Sequence, residues 1–341
     1  MKKIGFITSF GLGGGGHTNE VICRLLQYHY KEYIQFFYNK YSCTLPNEPS
    51  RINNYSFCKL IKFVNTEELN DYNLDILIVH RSGDDHWALP NFEKINFKFK
   101  IIEINFHGAI RTKADLRIFP SISLVNHKNI NHVPHVVIPN PISYVSNNDN
   151  LRNELNLNNK FVVGRVARGD SDIYCDINLN AYKNIEDENT VFLYLNPSQQ
   201  AINDSKKINI KNIIFLNPTV DTEYLDKIYN TFDVHIHSNS IGETFGNSVA
   251  ESFIRGIPTI SHDGFHNWPQ SHKEFYITTP DMYINKEKKS IMISKYTIIL
   301  NNLKTDLKYR KSVATQQQDY AKSNFADNIV INKYIKLIDS M

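Results

Sequence analysis

Cysteine is scarce in this chain. Cys23, Cys43, Cys58 and Cys175 are the four, and their spacing fits neither a zinc ligand set nor a disulfide framework, so they read as isolated thiols of a reducing compartment. Long apolar runs are missing as well. No stretch reaches the roughly 18 apolar residues that mark a membrane-spanning helix. Met1-Lys2-Lys3 runs directly into Ile4-Gly5-Phe6-Ile7 and then into polar residues, too short for the apolar centre of a secretion signal. The expectation is a cytoplasmic protein with at most peripheral membrane contact. An excess of one charge is also absent: the formal net charge of +3 gives no nucleic-acid signal, and nucleic acid is not an expected partner.

What is present is enough hydrophobic material for two α/β cores. The chain has 341 residues, 41% hydrophobic and 12% aromatic, which argues against disorder and permits more than one domain. Short apolar runs alternate with helical periodicity, the pattern of a parallel sheet wrapped by helices. Strands are expected at 4–8, 33–38, 75–80, 99–105, 116–119 and 136–138, and a first helix at 17–30. The stretch 41–64 has no clear period and reads as an insertion. Ser146-Asn147-Asn148-Asp149-Asn150 looks like a linker. A second series of strands follows at 160–166, 190–195, 212–216, 233–237, 258–261 and 274–278, and the chain from about 283 is helical by period. Two domains, 1–145 and 146–320, are expected, with a last helix over 321–341.

Several clusters carry chemistry. Glu243 and Glu251 stand eight positions apart, around Thr244-Phe245-Gly246-Asn247-Ser248. That segment should open a helix, whose first N–H groups favour an anion such as a diphosphate. A carboxylate on either side of such a start suits a ligand that is phosphate in the middle and hydroxyl-rich at both ends, as a nucleotide sugar is. The run Gly11-Leu12-Gly13-Gly14-Gly15-Gly16 formally satisfies a dinucleotide fingerprint, but the second strand ends in Tyr38-Asn39-Lys40 rather than in the acidic residue that holds a ribose. His107 and, more weakly, His80 and His17 lie near strand ends or the glycine loop. Arg51, Lys59 and Lys62, interleaved with apolar residues, fit either a membrane-facing basic face or the solvated edge of a half-buried helix. Asp170-Ser171-Asp172 is a formal Asp-x-Asp beside Arg168 and reads as a loop.

The run Gly242-Glu243-Thr244-Phe245-Gly246-Asn247, with Glu251 and the following Gly256-Ile257-Pro258, resembles the acidic pair of the family 4 retaining glycosyltransferases. Gly164-Arg165, His107 and Val137-Ile138-Pro139-Asn140 resemble further signatures of that family in the same order, although Pro141 stands where a Gly is usual. The resemblance implies the GT-B fold: two Rossmann-like α/β domains facing each other across a cleft, with the C-terminal helix returning to the first. It also implies residue roles. Glu243 bonds hydroxyls of the donor sugar and Glu251 the ribose; His107 lies beside the sugar; Gly14, Gly15 and Gly16 face the phosphates. Arg165 neutralises the leaving diphosphate. The Lys that family members usually add nearby is missing between Arg168 and Lys183, which leaves Arg168 to supply the second charge. Asn217 falls where the base is gripped, and Thr244 to Ser248 complete the donor site. The implied activity is metal-independent hexosyl transfer, with retention, from a UDP- or GDP-linked donor to a glycan, glycolipid or glycoprotein-precursor hydroxyl. It needs no cofactor beyond the nucleotide sugar as co-substrate. A GT-B epimerase or hydrolase, a non-catalytic nucleotide-sugar-binding protein and an NAD-dependent enzyme stand as alternatives.

Overall fold

The computed structural model describes residues 2–7, 14–37, 51–63, 65–81, 92–110, 113–144, 147–240, 242–262, 277–279 and 286–341. The chain divides into two compact units, Met1–Ser143 with Phe325–Met341, and Tyr144–Asn324.

The first unit is built on seven strands: β1 (Ile4–Ile7), β2 (Tyr33–Phe37), β3 (Leu60–Lys62), β4 (Ile76–Arg81), β5 (Lys100–Asn105), β6 (Leu116–Phe119) and β7 (His135–Val137), in the order β3-β2-β1-β4-β5-β6-β7. All the pairings are parallel. A parallel sheet is covered on both faces, and alternation along each strand shows it. Ile4, Phe6, Ile76, Ile78, Ile102 and Ile104 enter one core with Ile22 and Leu26 of α1 (Gly14–His29). Ile7, Leu77, Val79 and Ile101 enter the other with Phe36, Phe63 and Leu69. Glu103 and Arg117, directly opposite across β5 and β6, form a buried ion pair at 3.0 Å. The fourteen-residue α9 (Asp327–Ser340), which follows the second unit in the chain, belongs here. Val330, Tyr334 and Ile338 fill the first core, Lys2 donates to the Ile338 carbonyl at 2.7 Å, and Tyr30 donates to Asp339 at 2.9 Å.

Of the stretch read as an insertion, 41–50 and 64 lie outside the described residues, and 51–63 carries regular structure. A 3-10 turn at Arg51–Tyr55 leads into β3 on the edge of the sheet. Arg51 is buried against Glu20 at 2.9 Å and is thereby removed from any basic face, while Lys59 and Lys62 are exposed.

The second unit has six parallel strands in the order β10-β9-β8-β11-β12-β13. They are β8 (Phe161–Val166), β9 (Thr190–Leu195), β10 (Ile213–Leu216), β11 (Val234–Ile236), β12 (Thr259–His262) and β13 (Ile277–Thr279). Helices α3 (Ile177–Lys183) and α7 (Lys286–Thr305) close one face over Val163, Phe192, Tyr194, Val234 and Ile236. On the other, α5 (Thr222–Thr231) brings Leu225, Ile228 and Tyr229 onto Val162, Val191 and Leu193. The helix α6 (Asn247–Ile254) packs against α8 (Leu307–Asn324), while α2 (Ile122–Lys128) and α4 (Gln199–Lys207) complete the helical set among the described residues.

Both sheets run outward from their first strand, β1 or β8, in two directions. The connection reverses between β1 and β4 in one unit and between β8 and β11 in the other. In open α/β sheets a ligand crevice forms at such a switch point, outside the carboxyl ends of the strands.

Candidate functional site

In the second unit, residues at the carboxyl ends of β8, β11 and β12 gather around one guanidinium. Arg165, near the end of β8, is 1% exposed. The preceding Gly164 lies within the strand rather than in a turn, and a Cβ on it would stand 2.2 Å from the Phe232 ring, so only glycine lets the chain pass there. Arg165 Nη1 donates to His237 Nδ1 at 2.9 Å; Nη2 donates to the Ser238 carbonyl at 2.9 Å and to Asn239 Oδ1 at 2.8 Å. Its Nε has no hydrogen-bond partner, and among the described residues no carboxylate is ion-paired with the group. A desolvated cation without a counter-charge costs several kcal/mol, which makes this end of the sheet complementary to an anion.

The groups around Arg165 are neutral. Burial and the Arg165 charge hold His237 well below its ordinary value, and burial with the nearby His237 does the same for His235 and His262. Because Arg165 donates to Nδ1 of His237, the ring proton resides on Nε2, which lies 3.2 Å from Glu243 Oε1 without forming a hydrogen bond. Asn239 donates from Nδ2 to the same Oε1, and its backbone N–H reaches His262 Nε2 at 3.2 Å. Ser238 is clamped from behind by Asn178 of α3 and Tyr296 of α7, at 2.8 and 3.1 Å.

Helix α6 begins just after Glu243. Gly246, with φ of 81°, occupies the left-handed region that favours glycine and places its carbonyl to accept from Val249 and Ala250. The first N–H groups of a helix have no acceptor within it and carry its positive dipole end. Ser248 Oγ lies 3.3 Å from His237 Nδ1. Glu251, in the second turn and 5% exposed, accepts from Tyr229 at 2.6 Å. Tyr229 in turn lies beneath Arg255, which is ion-paired with Asp226, and burial with Glu251 nearby pushes its hydroxyl well above its ordinary value. It therefore stays a donor.

The remaining expected residues of this unit are dispersed around that centre. Arg168 is half exposed in a surface ion pair with Asp170 at 3.1 Å. Phe245 is buried, Thr244 is half-buried, and Asn217 is exposed just past β10. The carbonyl of Asp172 accepts from Ser240, and among the described residues no cluster of three or more His, Cys, Asp or Glu could hold a metal ion.

The first unit has its own gathering at the switch point between β1 and β4. Gly14, Gly15 and Gly16 form the first turn of α1 rather than a loop ahead of it; Gly11, Gly13 and Tyr38-Asn39-Lys40 lie outside the described residues. A Cβ on Gly15 would touch His80 Cε1 and the Phe106 ring at 3.5 Å. His80 is buried with neither ring nitrogen bonded, and burial and His107 push it down to about 3. His107 is half-buried in a loop pinned by Asn105, whose Oδ1 accepts the N–H groups of His107 and Gly108 at 3.1 and 2.7 Å.

Sequence reasoning missed His237, Asn239 and Tyr229. A signal existed for the first: His235 and His237, two apart on a buried strand and its end, share a face. Asn239 and Tyr229 carry none, since their roles come from contacts across 74 and 22 positions of the chain.

No family model and no curated protein matches the chain. Solved structures do. HepE of Anabaena in complex with UDP and glucose matches at a TM-score of 0.74, over 100% of both chains and at 14% identity. A glycosyltransferase from Rickettsia africae ESF-5 matches at 0.70, covering 98% of this chain and 97% of its own, at 15% identity. WaaG, a glycosyltransferase involved in lipopolysaccharide biosynthesis, matches at 0.64, over 98% and 99%, at 11% identity. The fold is the two-unit α/β fold of the GT-B glycosyltransferases, and no helix among the described residues is long and apolar enough to cross a membrane.

Proposed function

We propose that the chain is a retaining glycosyltransferase that moves a sugar from a nucleotide diphosphate to an acceptor hydroxyl, with the donor held by the second unit. The observation that carries this reading is the buried charge of Arg165, which has no ion-pair partner among the described residues, beside Glu243 and the start of α6. Such a group favours an anion, and a carboxylate on either side of the helix start favours hydroxyls.

The transition state resembles an oxocarbenium ion departing from a diphosphate, so stabilising the leaving anion is the main demand on the protein. The first turn of α6, over Asn247 and Ser248, would bind the diphosphate, with Arg168 released from Asp170 as a second positive charge and Arg165 contributing its field from beneath. Glu243 orients hydroxyls of the donor sugar. Glu251, fixed by Tyr229, takes the ribose, and the backbone near Asn217 takes the base. In the first unit, His107 is assigned a sugar hydroxyl and the turn Gly14–Gly16 a phosphate contact. No residue of this set is a nucleophile toward the anomeric carbon; the departing phosphate oxygen accepts the proton of the acceptor hydroxyl. The nucleotide sugar is a co-substrate, and no metal or further cofactor enters the scheme. The acceptor is proposed to be a glycan or glycolipid, and the reaction to take place in the cytoplasm.

The UDP complex of HepE makes UDP-sugars the first donors to try. Incubation with UDP-glucose, UDP-galactose, UDP-N-acetylglucosamine and GDP-mannose, with release of nucleoside diphosphate followed by ³¹P NMR, should show turnover of one donor and a loss of about a hundredfold or more in Glu243→Gln. ¹H NMR of the product should show the donor's anomeric configuration. Inversion would end the retaining assignment, and turnover unaffected by Glu243→Gln would remove this site from the chemistry.

A further inference from the structure

Five asparagines among the described residues have positive φ: Asn73, Asn129, Asn156, Asn196 and Asn209. Four of them end a helix or a helical turn, where the left-handed conformation is the usual stop. Asn196 is the exception. At φ of 55° it directly follows β9, and it precedes Pro197, a position that normally holds extended backbone. Residues other than glycine are kept in such a conformation by their surroundings, and they gather at ligand sites. Here the Asn196 N–H donates to the Leu216 carbonyl at the end of β10, at 2.9 Å. Two residues on, Ser198 accepts from Ala201 at 3.2 Å and caps α4. The side chain lies over Gly169, in the connection after β8, where a Cβ would stand 2.8 Å from Oδ1. The backbone is thus tied to β10 and α4, whereas the half-buried amide makes no hydrogen bond among the described residues. A primary amide offers a donor on one side and an acceptor on the other, the complement of a carbonyl next to an N–H. Uracil and guanine both carry that edge.

We propose that Asn196 reads the base of the donor nucleotide, its amide pairing with the carbonyl and the adjacent N–H of uracil or guanine. That role of Asn196 rests on the glycosyltransferase reading. The order of the strands puts it in place. They run β10-β9-β8-β11, with neighbours about 4.8 Å apart. A nucleotide whose diphosphate lies beside Arg165 and the start of α6, and whose base lies by Asn217 after β10, has to cross the end of β9. Asn196 stands at that crossing, with its amide against the connection that follows β8. Its fixed backbone holds the amide ready, so little freedom is lost when a base edge meets it.

Asn196→Gly tests this, because glycine takes the left-handed conformation without steric cost and only the amide is lost. Calorimetry compares wild type and variant with UDP, with GDP and with ribose 5-diphosphate, which is the same ligand without a base. The nucleotide that binds the wild type should bind the variant about tenfold more weakly, the size expected of one or two neutral hydrogen bonds, while ribose 5-diphosphate should bind both within about twofold. Unchanged nucleotide affinity overturns the proposal. So does an equal loss for ribose 5-diphosphate, which would put the amide on the ribose or the phosphates. Where UDP is the ligand, Asn196→Asp extends the test to the partner atoms. A carboxylate still accepts from the uracil N–H but sets a negative charge against the neighbouring carbonyl, whereas the amine of cytosine can donate to it. The ratio of UDP to CDP affinity should therefore fall by about tenfold or more, and an unchanged ratio overturns the pairing. A wild-type protein that binds no nucleotide fells the glycosyltransferase reading and this role of Asn196 with it. A wild type that binds one as tightly as Asn196→Gly does leaves that reading intact and removes only the role of Asn196.

Discussion

The single residue on which the second unit's site depends most is not one of the charged groups but Gly164. A Cβ there would overlap the Phe232 ring at 2.2 Å, and Phe232 also stacks on His235. Gly164→Ala therefore has to displace β8 or the ring, with an expected loss of about 1–3 kcal/mol in urea denaturation and a weaker hold on nucleotide. An unchanged midpoint would mean that the ring yields freely. Tyr229→Phe acts at the same scale. It strips Glu251 Oε2 of a buried donor at 2.6 Å and should cost about 1–3 kcal/mol, again read from the denaturation midpoint. Glu243, Glu251 and Arg165 were legible from the chain because the motif around them is local. The partners that fix them were not, since an asparagine or a tyrosine acquires such a role only when distant strands and helices bring it to a carboxylate. Arg165 itself was legible as a charge and not as a buried one, because burial is decided by the packing of β8 against β11.

At the scale of elements, the repeat of apolar strands and periodic helices gave the order of both series within a residue or two at most boundaries. The exceptions have physical reasons. The edge strand β3 has three residues, too few for alternation to show. Helix α1 starts at Gly14 rather than near His17, because three glycines carry no propensity signal, yet their small size lets the first turn lie against His80 and Phe106. The start of α6 is set by backbone conformation. Gly246 at φ 81° is a left-handed position, and Gly246→Ala should destabilise by about 1–2 kcal/mol and tilt the first turn of the helix. Thermal melting with and without nucleotide checks both parts. A variant with lower intrinsic stability but full nucleotide stabilisation would separate the helix start from anion binding.

For the molecule as a whole, four buried histidines among the described residues shape the response to acid. His80, held at about 3, and His235, His237 and His262, all depressed by burial, stay neutral when folded and take up protons once unfolded. The unfolded chain then binds more protons below about pH 6.5, so the stabilisation is present above that pH and is lost as pH falls toward the folded values. Each histidine contributes a slope of about 1.4 kcal/mol per pH unit in that window. Urea denaturation at pH 7.5, 6 and 5 should show a steep fall below 6.5, and a flat profile would mean that these rings are charged in the folded protein.

The central claim is that the carboxyl end of the second sheet binds a nucleoside diphosphate between Glu243 and Glu251. Calorimetric titration of UDP and of GDP into the wild-type protein and into Glu251→Ala tests it most directly, provided both ligand-free proteins melt alike. The account predicts that one of the two nucleotides binds the wild type and that the variant loses about tenfold or more of that affinity. Absence of binding by either nucleotide, or binding that Glu251→Ala leaves unchanged, would contradict it.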